Sequence, residues 1–221
     1  YDLFIDAAAR SCETATVADG FDRGTALSDA VAYSSHRFSL TTYDTGNLYE
    51  YRVELPSINL VKLHGCLSWH RDGEFLTCRA AQCDPLRPDQ LGDDAVVTQF
   101  VGRYAVVLPQ ATKFNATVLD RTYYELLRLY ANALDKENVL LVCFGFSFRD
   151  EHVLHITRRA LKNPTLRLVI VAYDAVSGES FAHIFRAHSN VIVLLAQALP
   201  VDFARFNKLM SDSVPRWAEP A

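Results

Sequence analysis

Apolar residues in this chain come in short runs that stop at glycine, proline or a polar turn. Ile58 to Trp69 reads I-N-L-V-K-L-H-G-C-L-S-W, an apolar run that breaks at His64-Gly65-Cys66. Val139 to His152 reads V-L-L-V-C-F-G-F-S-F-R-D-E-H and breaks in the same way at Gly145. A continuous apolar run closed by glycine is the signature of a buried strand. Tyr104 to Leu108, Leu166 to Ala172 and Val191 to Leu195 predict three more strands. Between them the spacing changes. Val118, Tyr123, Leu126, Leu127, Tyr130, Ala133 and Leu134 recur at helical intervals and predict a helix over Thr117 to Lys136. Shorter helices are expected over Asp2 to Arg10, with Leu3, Phe4 and Ala7 to Ala9 as its packing face, and over Arg149 to Leu161, Ser180 to Ala187 and Val201 to Met210.

The remaining stretches pattern less regularly. Ser11 to Asp29 reads as loop with some strand, while Arg37 to Leu40 and Tyr49 to Leu55 are candidate strands joined near a Thr45-Gly46-Asn47 turn. Arg71 to Gly102, punctuated by Pro85, Pro88 and Gly92, suggests an inserted loop-rich lobe. Trp217 is expected to pack near the end. The resulting alternation of strands and helices argues for an α/β fold, a parallel sheet with helices on both faces. Ligands of such sheets sit beyond the carboxyl ends of the strands, which puts His64 in a cleft with the Gly145 turn as its second wall. Gly65 lacks a Cβ, so a substrate or a backbone segment can approach the imidazole. Ser147 and Asp150 match a capping box for the helix that follows, and a helix N-terminus facing a cleft also suits phosphate.

Composition narrows the class. With 221 residues the chain can build one α/β core with an insertion. A net charge of −4 gives no support for a broad nucleic-acid surface. No apolar run has the length of a membrane span, no secretory signal is visible, and the five cysteines form no regular framework. A reduced, cytoplasmic protein is expected. Cys78 and Cys83 form a single spaced pair, where a closed zinc site commonly uses two, so they read as unrelated thiols and no metal is expected. The chain starts at Tyr1 without a methionine and reads as an excerpt, and no G-x-G-x-x-G or P-loop pattern is present in its residues.

Taken together, Tyr1-Asp2, L-V-K-L-H-G-C-L-S-W, L-P-Q-A-T-K-F and V-L-L-V-C-F-G-F-S-F-R-D-E-H resemble, in that order, the sirtuin-like NAD-hydrolase domains of bacterial antiphage defence proteins. The resemblance runs from Tyr1 through the last strand. It implies a Rossmann-like, sirtuin-type NAD-binding fold and an effector that depletes NAD and halts the infected cell, a form of abortive infection. By the same resemblance His64 is the catalytic histidine, and Asp2 belongs to the nicotinamide-ribose site. Gly65 adjoins the histidine, and Gly145 and Ser147 form the Gly-x-Ser turn lining the NAD cleft. The family's first block reads N-Y-D, so its catalytic asparagine would fall just before Tyr1. Cys66 stands where the family often has serine, and the paired-cysteine zinc ribbon of protein-deacylating sirtuins is absent.

The chemistry implied is glycosidic cleavage of NAD, with NAD as substrate. Nicotinamide leaves as a neutral base, so the burden falls on stabilising an oxocarbenium-like ribose and placing water. A histidine near neutral pKa can relay a proton from a ribose hydroxyl or from that water. Two other readings compete: an NAD-dependent protein deacylase, and a non-catalytic module that senses NAD or ADP-ribose within a larger assembly. Because a constitutive NAD hydrolase would be toxic, control by homo-oligomerisation or by a partner is expected. The resemblance suggests a ring-shaped DNA-translocating ATPase or another defence protein as that partner.

Overall fold

The computed structural model describes residues 2–22, 31–44, 52–72, 75–79, 86–106, 121–195 and 199–213. The Thr45-Gly46-Asn47 turn, Cys83, the L-P-Q-A-T-K-F block and Trp217 lie outside them. The described residues form a mixed α/β structure with six α-helices and four small sheets, two parallel and two antiparallel. They divide into two units, Tyr1–Leu129 and Tyr130–Ala221. None of the described helices is long and apolar enough to cross a membrane.

The first unit opens with helix α1 (Asp2–Arg10). Its inward face matches the expected one only in part. Ala9 is buried as expected, but Phe4 is 77% exposed, and Asp6, three residues before Ala9, turns inward. Strand β1 (Thr16–Ala18) follows, then β2 (Val31–Ala32), β3 (Tyr43–Asp44), β4 (Val53–Glu54) and β5 (Ser57–Asn59). β1 pairs in parallel with β5, and β3 pairs antiparallel with β4. Arg37 to Leu40, expected as a strand, instead ends a 3-10 turn over Ser35–Ser39, closed by the Leu40 N–H on the Arg37 carbonyl.

Strand β6 (Gly65–Asp72), β7 (Phe75–Cys78) and β8 (Tyr104–Val106) complete a four-stranded antiparallel sheet in the order β2-β7-β6-β8. Helix α2 (Asp94–Gly102) precedes β8. Its N-terminus is capped by Asp93, whose side chain accepts from the Ala95 and Val96 amides at 2.9 and 3.3 Å. Regular structure therefore fills much of the described part of 71–102, where a loop-rich lobe was expected. Trp69, 2% exposed, anchors this unit's core with Phe21, Cys66, Cys78, Ala105, Tyr123 and Leu126, and its ring meets those of Phe21 and Tyr33 edge-on or tilted.

Helix α3 (Arg121–Leu134) starts in the first unit and ends in the second. The second unit then alternates: β9 (Leu140–Phe144), α4 (Glu151–Ala160), β10 (Arg167–Val171), α5 (Ala175–Ile184), β11 (Val191–Leu194) and α6 (Phe203–Ser213). The three strands are parallel in the order β9-β10-β11. One face of β10, Leu168 and Ile170, is sealed by Ala160, Leu161, Phe181 and Phe185 from the α4 and α5 segments. On the register-paired opposite face, the Phe144 ring stacks on Phe206 of α6 at 4.2 Å. Helix α5 starts five residues earlier than expected. Asp174 and Ser177 form its capping box, and the Asp174 carboxylate, held by the Ser177 amide and hydroxyl, sits below the usual carboxylate range.

Candidate functional site

His64 does not end a strand. β5 stops at Asn59, and Leu60 to Leu63 continue as irregular chain, with Val61 and Leu63 packed against the Trp69 cluster. Of the run before His64, Ile58 and Asn59 are extended in β5, whereas Leu60 to Leu63 are irregular, and its apolar side chains are partly buried. Its residues reach the core from a turn, closed by the Gly65 N–H donating to the Lys62 carbonyl at 3.0 Å. His64 sits in that turn, half-buried with its Nε2 shielded from solvent, and β6 begins at the next residue.

Gly65 holds the left-handed conformation, with φ of 78°. A Cβ at this position would collide with the Ala105 carbonyl of β8 and lie 3.0 Å from the Tyr123 hydroxyl. Of the two possible reasons for this glycine, substrate approach or backbone approach, the structure supplies the second. The glycine lets β6 and β8 pair, through the Gly65–Val106 register, directly beside the histidine.

Lys62, which the sequence did not single out, is the charged centre of this turn. Its side chain is 4% exposed, and its ammonium lies 3.5 Å from Asp6 Oδ2 of α1. Asp6 Oδ1 accepts from Arg10 Nε at 2.7 Å, and the same guanidinium donates to Asp19 Oδ2 at 2.6 Å. On its other side Lys62 Nζ donates to Cys66 Sγ at 3.4 Å, and the Ser68 hydroxyl donates to the same sulfur at 3.4 Å. Cys78, also buried, contacts Ser68 at 3.9 Å. A buried ammonium is tolerable only when paired, and this one is held between a carboxylate and a polarisable sulfur. The signal available in the sequence was a lysine inside an otherwise apolar run.

In the second unit, β9 is followed by Gly145, which is left-handed with φ of 67°. The following residues alternate. Phe146 and Phe148 pack inward, the latter 4% exposed against Phe181 and Phe185, while Gly145 and Ser147 face outward. Phe148 itself has φ of 54°, unusual for a non-glycine residue, and its buried ring offsets that local cost. A Cβ on Gly145 would meet nothing within 4 Å. Asp150, rather than Ser147, takes the N-cap position of α4, and its side chain makes no capping hydrogen bond; the expected capping box does not form. Glu151 in the first turn and Arg158 and Arg159 in the last complement the helix dipole.

The expected site residues therefore fall into two sets. His64 and Gly65 are consecutive in the first unit, tied through Lys62 and Asp6 to α1, whose first residue is Asp2. Gly145 and Ser147 share one exposed, aromatic-anchored loop in the second unit. No protein-family model and no curated protein matches the chain.

Proposed function

We propose that this chain is the sirtuin-like, Rossmann-type part of an NAD glycohydrolase that acts in the cytoplasm as an antiphage effector by depleting NAD. The observation that carries the reading is the Lys62–Cys66 segment. A histidine is held in a tight turn by a buried ionic network that reaches the helix beginning with Asp2. The second support is the parallel β9-β10-β11 unit, in which a left-handed glycine leads into a helix N-terminus, a geometry suited to a dinucleotide's phosphates.

In this reading the bond broken is the one between the nicotinamide nitrogen and ribose C1′. Nicotinamide departs with the bonding pair as a neutral ring, water adds to C1′, and a proton is released. His64 takes that proton from the water or from a ribose hydroxyl, and Asp2 serves the ribose end. Gly145 and Ser147 present backbone amides and a hydroxyl to the pyrophosphate. Control by homo-oligomerisation, or by a partner such as a ring-shaped DNA-translocating ATPase, belongs to the same proposal.

The test uses the full-length protein with NAD, with and without an acetyl-lysine peptide, following nicotinamide and ADP-ribose. Peptide-independent release that is lost in His64→Ala supports the hydrolase. Release that requires peptide and yields an acyl-ADP-ribose makes the protein a deacylase. Binding of ADP-ribose without turnover, unaffected by His64→Ala and by added partners, makes it a sensing module. Parent-like turnover in His64→Ala removes the histidine from the mechanism.

A further inference from the structure

We infer that Lys62 and Asp6 are a positioning pair, setting the histidine turn against the N-terminal helix so that His64 and Asp2 keep a fixed relation; this rests on the hydrolase reading of those two residues. Lys62 and Cys66 stand on either side of the His64-Gly65 turn, and the contact of Lys62 Nζ with Cys66 Sγ closes a bracket around it. From the same ammonium the pair with Asp6 Oδ2 reaches α1 at a point one helical turn after Asp2. Arg10, on the same helix, holds Asp6 and also reaches Asp19, so the helix cannot rotate about its axis without breaking two charged contacts, Lys62–Asp6 and Arg10–Asp19.

Stability alone does not require this arrangement. A buried ion pair is commonly matched or exceeded in stability by apolar residues of similar volume, while it is far more directional. Leucine or methionine at position 62 would continue the apolar run of Val61 and Leu63. What an apolar side chain cannot supply is a fixed link between one carboxylate on α1 and the two ends of the histidine turn. A misplacement of about 1 Å at a reacting group is enough to cost on the order of a hundredfold in rate. Lys62 and Asp6 touch no substrate in this scheme; they act through His64 and Asp2.

The experiment compares full-length parent, Lys62→Met, Lys62→Arg and Asp6→Asn. It measures nicotinamide release as separate kcat and KM, and the imidazole nitrogen–proton correlations of His64, identified by their loss in His64→Gln. The expected result is a kcat at least about tenfold lower in Lys62→Met and Asp6→Asn, KM for NAD within about threefold of the parent, and recovery of most of the kcat by Lys62→Arg. The His64 signals should shift in Lys62→Met and Asp6→Asn, while those of the exposed His155 and His183 stay in place. A folded Lys62→Met with parent kcat and unmoved His64 signals overturns the inference. So does a loss spread equally over kcat and KM that Lys62→Arg fails to recover, which marks a merely structural role. If Lys62→Met does not fold, Asp6→Asn, which keeps the size and hydrogen-bonding shape of the carboxyl, carries the same criteria. If the parent releases no nicotinamide, the hydrolase reading falls, and the His64 signals alone still decide whether Lys62 and Asp6 position the turn.

Discussion

The carbonyl oxygen of Ala105 fills the space that a side chain on Gly65 would need. Gly65 is also left-handed, with φ of 78°, so Gly65→Ala meets two penalties at once. The left-handed backbone costs about 1–2 kcal/mol, and the clash is with rigid backbone in a paired strand rather than with a movable side chain. The expected loss is about 3 kcal/mol or more in urea unfolding, with β8 detached from β6 and the histidine turn displaced. Loss of under about 1 kcal/mol would mean that β8 yields easily and that the glycine serves something else.

Gly145 provides the contrast. Its φ is also positive, but an added Cβ would meet open space. Gly145→Ala should therefore cost only the conformational term, about 1–2 kcal/mol. If the loop holds the pyrophosphate, the same variant should raise KM for NAD while leaving kcat near the parent value. Steady-state kinetics with NAD varied decides this, and an unchanged KM would take the Gly145 to Ser147 loop out of the NAD site.

These two glycines also show how far the sequence could be read. Both were visible as breaks after apolar runs, and the run before Gly145 is a strand ending where expected. The one before Gly65 is not, because burial and extension are separate properties. Val61 and Leu63 are drawn into the core from an irregular segment whose backbone is tied by a turn. The helix over Arg121–Leu134 was legible because Tyr123, Leu126, Leu127 and Leu134 repeat at helical spacing, and that spacing survives folding. The antiparallel sheet was not, since β6 buries Cys66 and Ser68 as readily as Trp69 and so shows no clean alternation. Charge misled in a different way. Asp6 and Lys62 lie far apart in sequence, and nothing local marks them as partners, so the packing face expected for α1 included the exposed Phe4 and left out Asp6. The start of α5 could have been found from Asp174 and Ser177, a capping pair present in the sequence.

Two partly buried tyrosines should respond oppositely to loss of the hydroxyl. Thr157 donates its proton to the Val153 carbonyl at 2.7 Å, so its oxygen accepts from the Tyr130 hydroxyl at 2.9 Å. Burial pushes the Tyr130 hydroxyl above its ordinary pKa, which keeps it protonated and donating. Tyr130→Phe should cost about 1 kcal/mol. The Tyr33 hydroxyl is also buried and also pushed up, by desolvation and by Glu125, but no hydrogen-bond partner for it is present among the described residues. Tyr33→Phe removes a desolvated polar group and should be neutral or stabilising. Parallel denaturant unfolding of both variants tests the pair. Equal losses would show that the Tyr33 hydroxyl has a partner after all.

Cys143 gives the chain a pH-dependent stability in the alkaline range. Its thiol lies in β9 inside the apolar core of the second unit, and burial pushes it up to about 12 from an ordinary 9.0. The unfolded chain releases this proton near pH 9 while the folded chain retains it. The contribution is therefore complete below pH 9 and declines as pH rises toward 12, because over that window the unfolded state gains stability through ionisation and the folded state does not. The slope expected from this one group is about 1.4 kcal/mol per pH unit, and its full extent is on the order of 4 kcal/mol. Cys143→Ala should be less stable at pH 8, since it leaves a small void in the core, yet lose less on going from pH 8 to pH 10.5. Burial raises Tyr130 as well, and the Cys143 charge adds to that rise, so the difference between the two curves reports the thiol together with its coupling to Tyr130. Urea midpoints measured across that interval should converge as pH rises. Parallel curves would mean that water reaches the Cys143 sulfur and that β9 is less tightly covered than its packing indicates.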